Sequence, residues 1–353
     1  MFNKIFTWVL GFCIFATGFY SCDNTLEING DYTEKVVVFG LLDYGVDTNF
    51  IRIEKTFLEP NTNAYILATD ADEIFYDYND LHVYLEEWLN GAFIKTISID
   101  YVDGDSLGIE KEEGVFATSK NILYRITTKL DSMAAYKLFI INNNTGDTIT
   151  SQTNLVQSFY LYYPTISNTY ISFADTGKIT YTCKQAVNGI MYELWMDFNY
   201  YEKNIYTGDS ILKTLNWQIF NEKVGDNTDG FSNISYSLPR HSFYSFLVSA
   251  IPEDENVIRT AVGVNYHWYA GGTELYDLYL NMLANVGLNQ DYISPEYTNI
   301  QGGIGMFSSR HGQHATDIKL YDSTLDSIAC GSITGNLRFV SSKTNPAYPG
   351  CAF

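Results

Sequence analysis

The sequence predicts a mainly β protein: an N-terminal β-sandwich of immunoglobulin or fibronectin type, then a second β-rich domain with one or two helices. Three observations predict it. Aromatic residues make up 16% of the chain, including 29 tyrosines, and rings together with Thr and Ile favour the pleated surface of strands. Short apolar segments alternate with polar positions at period two. Turn residues separate these segments at short intervals, with few 3.6-residue patterns between them.

"EKVVVFGLLD" opens the first strand, and "NFIRIEKTFL", with Phe50, Ile51 and Ile53, gives a second, half-buried one. "LHVYLEEWLNGAFIKTISID" reads as a hairpin, because Val83, Leu85 and Trp88 precede a turn at Asn90-Gly91, a pair suited to two-residue hairpin loops. "NILYRITTKL" and "AAYKLFIINNNTGDTITSQT" add further strands, with Gly146 at a turn. These segments place the sandwich at residues 33–155. The second domain, 156–353, begins with the crossing "SFYLYYPTIS". "GKITYTCKQ", "IMYELWMDFNYYE", "ILKTLNWQIFN" and "AVGVNYHWYA" alternate as strands. In "HSFYSFLVSAI", Phe243, Phe246, Leu247 and Ala250 share a helical face and Pro252 ends the run, so a helix is expected there. "LYDLYLNML" fits a strand or a helix. A chain of 353 residues is near the length at which one core divides into two.

The N-terminus carries information about location. Lys4, an apolar run over residues 5–16 and a smaller, more polar stretch to Ser21 make the three-part layout of a secretory signal. "GFYSCDN" then resembles a bacterial lipobox, in which cleavage before a cysteine follows diacylglyceryl attachment to its sulfur. Phe19 and Tyr20 depart from the usual residues of that pattern. The expectation is a lipoprotein signal at 1–21, lipid on Cys22 and a polar tether over 22–32. Each buried methylene contributes about 0.8 kcal/mol, so two or three acyl chains hold a protein at a membrane. The formal charge of −20 argues against nucleic acid and anionic membrane surfaces as partners, since both require basic patches. Of the remaining cysteines, Cys330 and Cys351 are candidates for a disulfide closing a C-terminal loop, and Cys183 reads as a buried thiol.

Several of these segments resemble a known family. "VVVFGLLD", "FIRIEKTFL", "AAYKLFIINNNTGDTITSQT", "GIMYELWMDFNYYE" and above all "PEYTNIQGGIGMFSSR", with Gly302, Gly303 and Gly305, are similar to lipoproteins of the Bacteroidota grouped as domain of unknown function 4249. The similarity runs over most of the mature chain and leaves the C-terminal "ACGSITGNLRFVSSKTNPAYPGCAF" unmatched. It implies lipid anchoring at the outer membrane, on either face, and an association with a β-barrel TonB-dependent receptor. It implies no activity. Five Asp-Ser/Thr-apolar triplets also resemble the O-glycosylation signal of exported proteins from this bacterial group, making Ser106, Ser132, Thr148, Ser210 and Ser327 candidate glycan carriers.

Residues for catalysis are sparse. "HGQH" places His311 and His314 three apart, a spacing that shares a metal only on a helix or tight turn, and the expectation is a solvated loop without a metal. Acidic clusters at 70–73, 103–105 and 226–230 depart from the twelve-residue calcium loop. "QGGIGMF" lacks the end and the strand-to-helix context of a phosphate loop, and its glycines read as close packing of a turn on a neighbouring strand. No cofactor is expected. Tyr200, Tyr201, Tyr206, Tyr266, Trp268 and Tyr269 are more rings than one strand face buries, so they are candidates to stack on a glycan or anchor a partner. The function expected is a non-enzymatic lipoprotein serving as an accessory of an envelope assembly, or alternatively a glycan-binding surface protein.

Overall fold

The computed structural model describes residues 33–57, 63–174, 176–285, 297–341, 344–345 and 348–351. The signal segment, Cys22 and the tether lie outside the described residues. The protein is mainly β, with several sheets and a few helices, as the alternation predicts.

The first half is a sandwich. Strands β1 (Val36–Leu42), β2 (Asn49–Lys55), β5 (Asp100–Asp103) and β6 (Ile122–Ile126) form one sheet in the order β1-β2-β6-β5. Strands β3 (Leu81–Leu89), β4 (Ala92–Ser98), β7 (Ala135–Asn142) and β8 (Thr148–Asn154) form the other, in the order β4-β3-β7-β8. Val38, Ile51, Ile53, Leu85, Leu138 and Ile140 fill the space between them. Short helices α1 (Ala64–Ala68) and α2 (Ala71–Ile74) sit in the β2–β3 connection. The acidic clusters cap turns: Asp70 accepts from Asp72 N, Asp103 from Asp105 N, and Asp229 from Phe231 N.

In the second half, β12 (Met191–Asn204), β13 (Ser210–Val224), β15 (Val257–Gly271) and β16 (Ile304–Leu320) are long strands in the order β13-β12-β15-β16. A small sheet of β9 (Leu161–Tyr163), β11 (Lys178–Lys184) and β14 (Asn233–Pro239) contributes to the same core. Helices α3 (Ser242–Ala250), α4 (Thr273–Asn285) and α5 (Asp322–Cys330) follow the strands. On α3, Phe243 and Leu247 are buried and Phe246 stacks on Trp217 with ring centres 5.1 Å apart, while Ala250 is exposed. Cys183 is a free, buried thiol, and Cys330 is disulfide-bonded. The side chain of Cys351 lies outside the described residues.

The two halves share one sheet. β16 pairs antiparallel with β15 and parallel with β1, matching Val38 to Gly305 and Leu42 to Ser309, so eight strands run continuously across both cores, and the short β10 (Tyr170–Ile171) pairs parallel with the end of β16 as a ninth. Ile300 and Phe307, late in sequence, belong to the first core. Gly305 has φ +106°, and a Cβ there would collide with the carbonyl oxygen of Val38. The glycines of "QGGIGMF" thus let one backbone pass against another.

One turn sequence occurs twice. Asn142–Thr148 between β7 and β8 and Asn204–Ser210 between β12 and β13 both read Asn-x-x-Thr-Gly-Asp-Ser/Thr. In each, the asparagine Oδ1 accepts two backbone N–H groups, from Asn144 and Thr145 or from Tyr206 and Thr207, at 2.9 and 3.1 Å. Each glycine then turns the chain at positive φ, +82° at Gly146 and +80° at Gly208. Side-chain capping by asparagine satisfies the turn's donors and fixes hairpin register.

Candidate functional site

The four long strands sort their rings by period two. On β12, Tyr192, Leu194, Met196, Phe198 and Tyr200 face the core; on β15, Val264, Tyr266, Trp268 and Ala270 do so. The expectation that Tyr200, Tyr266 and Trp268 contact a ligand is therefore corrected: all three are buried, and the indole Nε1 of Trp268 has no hydrogen-bond partner. Tyr269 lies half-buried on the opposite, outer face, and Tyr201 is exposed.

The outer face carries a hydrogen-bonded cluster. Asp197 Oδ1 accepts from Asn216 Nδ2 at 2.7 Å, and Asp197 Oδ2 lies 3.1 Å from His267 Nε2. His267 Nδ1 in turn lies 2.9 Å from His314 Nδ1 on the next strand. Trp195 Nε1 donates to Glu193 at 3.1 Å, and the Arg310 guanidinium sits over the Tyr269 ring at 5.3 Å. Burial, then the imidazoles of His267 and His311, hold His314 below its ordinary value, against the pull of Asp43. The polar groups of this shallow depression mostly satisfy one another.

"HGQH" lies inside β16, and the expected loop is corrected. On a strand, residues three apart point to opposite faces, so His311 and His314 have different surroundings. His311 is buried at the seam between the halves, 2.7 Å from Asp43 Oδ1 and stacked on Tyr44 at 4.5 Å. Asp43 also accepts from Gly45 N, so its carboxylate fixes the β1–β2 turn and the imidazole together. Among the described residues no group of three His, Cys, Asp or Glu side chains is placed to hold a metal ion.

The far end of the β12–β13 hairpin is a different surface. β13 is one of the two edge strands of the nine-stranded sheet, β5 being the other. Tyr201 and Leu212 face each other across the hairpin, and Tyr206 and Ile211 lie beside the turn, with exposures of 46, 54, 79 and 62%. A clamp holds this end. Arg259 on β15, 1% exposed, donates to Glu202 Oε2 at 2.8 Å, Leu337 O at 2.7 Å and Pro252 O at 3.0 Å, and Lys213 bonds the other Glu202 oxygen at 2.5 Å. Burial pushes the Glu202 carboxyl up, but the bonds and charges of Lys213 and Arg259 outweigh it and hold the group below the usual carboxylate range. The sequence pointed to Tyr201 and Tyr206 and not to Ile211 and Leu212; β-branched and leucine residues on an edge strand carried no local sign of exposure.

The glycan candidates differ in access. Ser106, Thr148 and Ser210 are exposed, the last two on the repeated turn, whereas Ser132 is half-buried and Ser327 is half-buried on α5 with its hydroxyl bonded to Ser323 O.

No protein-family model matches the chain. No curated protein matches it either. Among solved structures, it is similar to the C-terminal globular domain of an oligosaccharyltransferase from Pyrococcus abyssi, at 12% identity and a TM-score of 0.24, over 68% of this chain and 48% of that one. The match thus spans about half of that structure's length.

Proposed function

We propose that this chain is a non-catalytic, lipid-anchored protein of a bacterial outer membrane, acting as an accessory of a larger envelope assembly with a β-barrel TonB-dependent receptor as its partner. The observation that carries the binding reading is the hairpin end, where exposed apolar residues sit beside a free sheet edge. Apolar side chains clustered on an open edge are a liability for a protein that works alone, and a partner that covers them removes it. The buried Arg259 clamp gives the patch a fixed shape, which lowers the ordering cost of binding. The lipid on Cys22 and the receptor as partner rest on the sequence resemblances.

Affinity isolation from detergent-solubilised native membranes tests this reading. A large β-barrel protein should co-purify in near-stoichiometric amount, and Leu212→Asp with Tyr206→Asp should release it. Isolation of the lipoprotein alone, or retention of the barrel by the double variant, would count against it.

A further inference from the structure

A groove of about 1000 Å³ lies in the N-terminal half, where the outward face of β3 and β4 meets β5, β6 and the turn before β3. Tyr84, Ser98, Glu86 and Thr96 share this face, since Tyr84 pairs with Ser98 and Glu86 with Thr96 across the hairpin. His82 lies two residues from Tyr84 on the same strand, with ring centres 5.4 Å apart. Tyr84 is stacked on Phe139 of β7 with ring planes 6° apart, which fixes its orientation. On the other side, Tyr101 packs edge-on against Tyr78 at 5.6 Å and against the buried Tyr124 at 5.8 Å. Rings thus line the groove from two directions, held by neighbours.

The polar groups here differ from those of the outer-face cluster. Among the described residues, the side chains of His82, Thr96 and Ser98 and the hydroxyls of Tyr78 and Tyr84 make no hydrogen bond within the protein, whereas Glu193, Trp195, Asp197 and His267 are committed to one another. The groove's one guanidinium, Arg125, is paired with Asp100 at 3.0 Å, and Glu86 accepts from Trp88 Nε1 at 2.9 Å. Its formal charge is negative, which disfavours anionic ligands. Its volume is at the upper end of the ~300–1,000 Å³ usual for small-ligand sites.

We propose that this groove binds a neutral oligosaccharide. Sugar rings present an apolar C–H face and a rim of hydroxyls, and the groove offers the complement: fixed aromatic rings beside uncommitted hydroxyls and an imidazole. A purely apolar ligand would leave those polar groups without partners, and an acidic one would meet Asp100 and Glu86. The assignment is independent of the partner surface on the second half.

Isothermal titration calorimetry of the full-length protein in detergent tests it, with maltohexaose, cellohexaose, xylohexaose, mannohexaose, chitohexaose and hexagalacturonate as titrants. At least one neutral hexasaccharide should bind at millimolar or tighter affinity, with hexagalacturonate weaker. Tyr84→Ala and Tyr78→Ala should each weaken it at least about tenfold, while Trp195→Ala on the outer face leaves it unchanged. Tyr78 is 69% exposed, so its removal spares the core and keeps the test independent of folding. Failure of all five neutral sugars, preference for hexagalacturonate, or binding insensitive to both tyrosine variants would overturn the proposal.

Discussion

Replacing Arg259 with methionine removes the clamp beneath the proposed partner surface. The guanidinium is almost wholly buried and serves Glu202, Leu337 O and Pro252 O at once. Deleting one partner of a buried ion pair costs about 3–5 kcal/mol. Glu202 is 16% exposed and keeps Lys213, which moves its share to the lower part of that range. The two abandoned carbonyls, each costing about 1–3 kcal/mol if water cannot reach them, move the sum back up. With a loss of about 3–5 kcal/mol and about 1.4 °C per kcal/mol for a chain of 353 residues, Tm should fall by roughly 4–7 °C. Thermal unfolding followed by circular dichroism reads this directly. Because the Glu202 carboxyl is held low, its stabilising contribution is present above the usual carboxylate range and is lost as the pH falls below it. The gap between wild type and Arg259→Met should accordingly narrow in acid. A drop under about 2 °C at neutral pH would rule out a structural role for the clamp, because one that releases without cost cannot be fixing the hairpin end.

Trp268→Ala should destabilise the second core by about 3–5 kcal/mol in denaturant unfolding, whereas Trp268→Phe, which removes an unpartnered buried N–H, should cost clearly less; equal losses would contradict the burial account. The lowered His314 means the unfolded chain takes up a proton near pH 6.5 that the folded protein resists, so stability should fall as the pH drops below that value, and His314→Gln should flatten the fall. A parallel pH profile for the variant would remove His314 from the explanation. Cys22→Ser should move the protein from the membrane pellet to the soluble fraction after cell lysis, and a variant that still pellets would contradict lipid attachment there. Peptide mass mapping of protein from the native host should find glycan among Ser106, Thr148 and Ser210 and none on Ser132 or Ser327; peptide plus lipid alone would sink the assignment.

Local chemistry made much of the fold legible. Asn90-Gly91 and the Asn-x-x-Thr-Gly-Asp turns announce hairpins because their donors and positive φ values are satisfied within a few residues. Period two also held the means to sort the rings: Tyr200 continues the buried series of Met196 and Phe198, and Trp268 continues that of Val264 and Tyr266. Counting aromatics without following the alternation obscured it. The pairing of β1 with β16 joins residues that are far apart in sequence, and nothing local to "VVVFGLL" specifies a parallel neighbour. The "HGQH" strand was hidden for a related reason, since His and Gln favour no pleat of their own and are carried by neighbours on both sides. The groove of Tyr78, Tyr84 and Tyr101 draws on elements of both sheets and has no signature in any one of them.

The proposed meeting of the β12–β13 hairpin end with a partner in the envelope can be read with a photo-crosslinking amino acid placed at Tyr206 in living native-host cells. An ultraviolet-dependent adduct with a large β-barrel protein is expected from this position and none from Phe93, which is also exposed but lies in the first half. Absence of an adduct at Tyr206, or equal adducts from both positions, would contradict it.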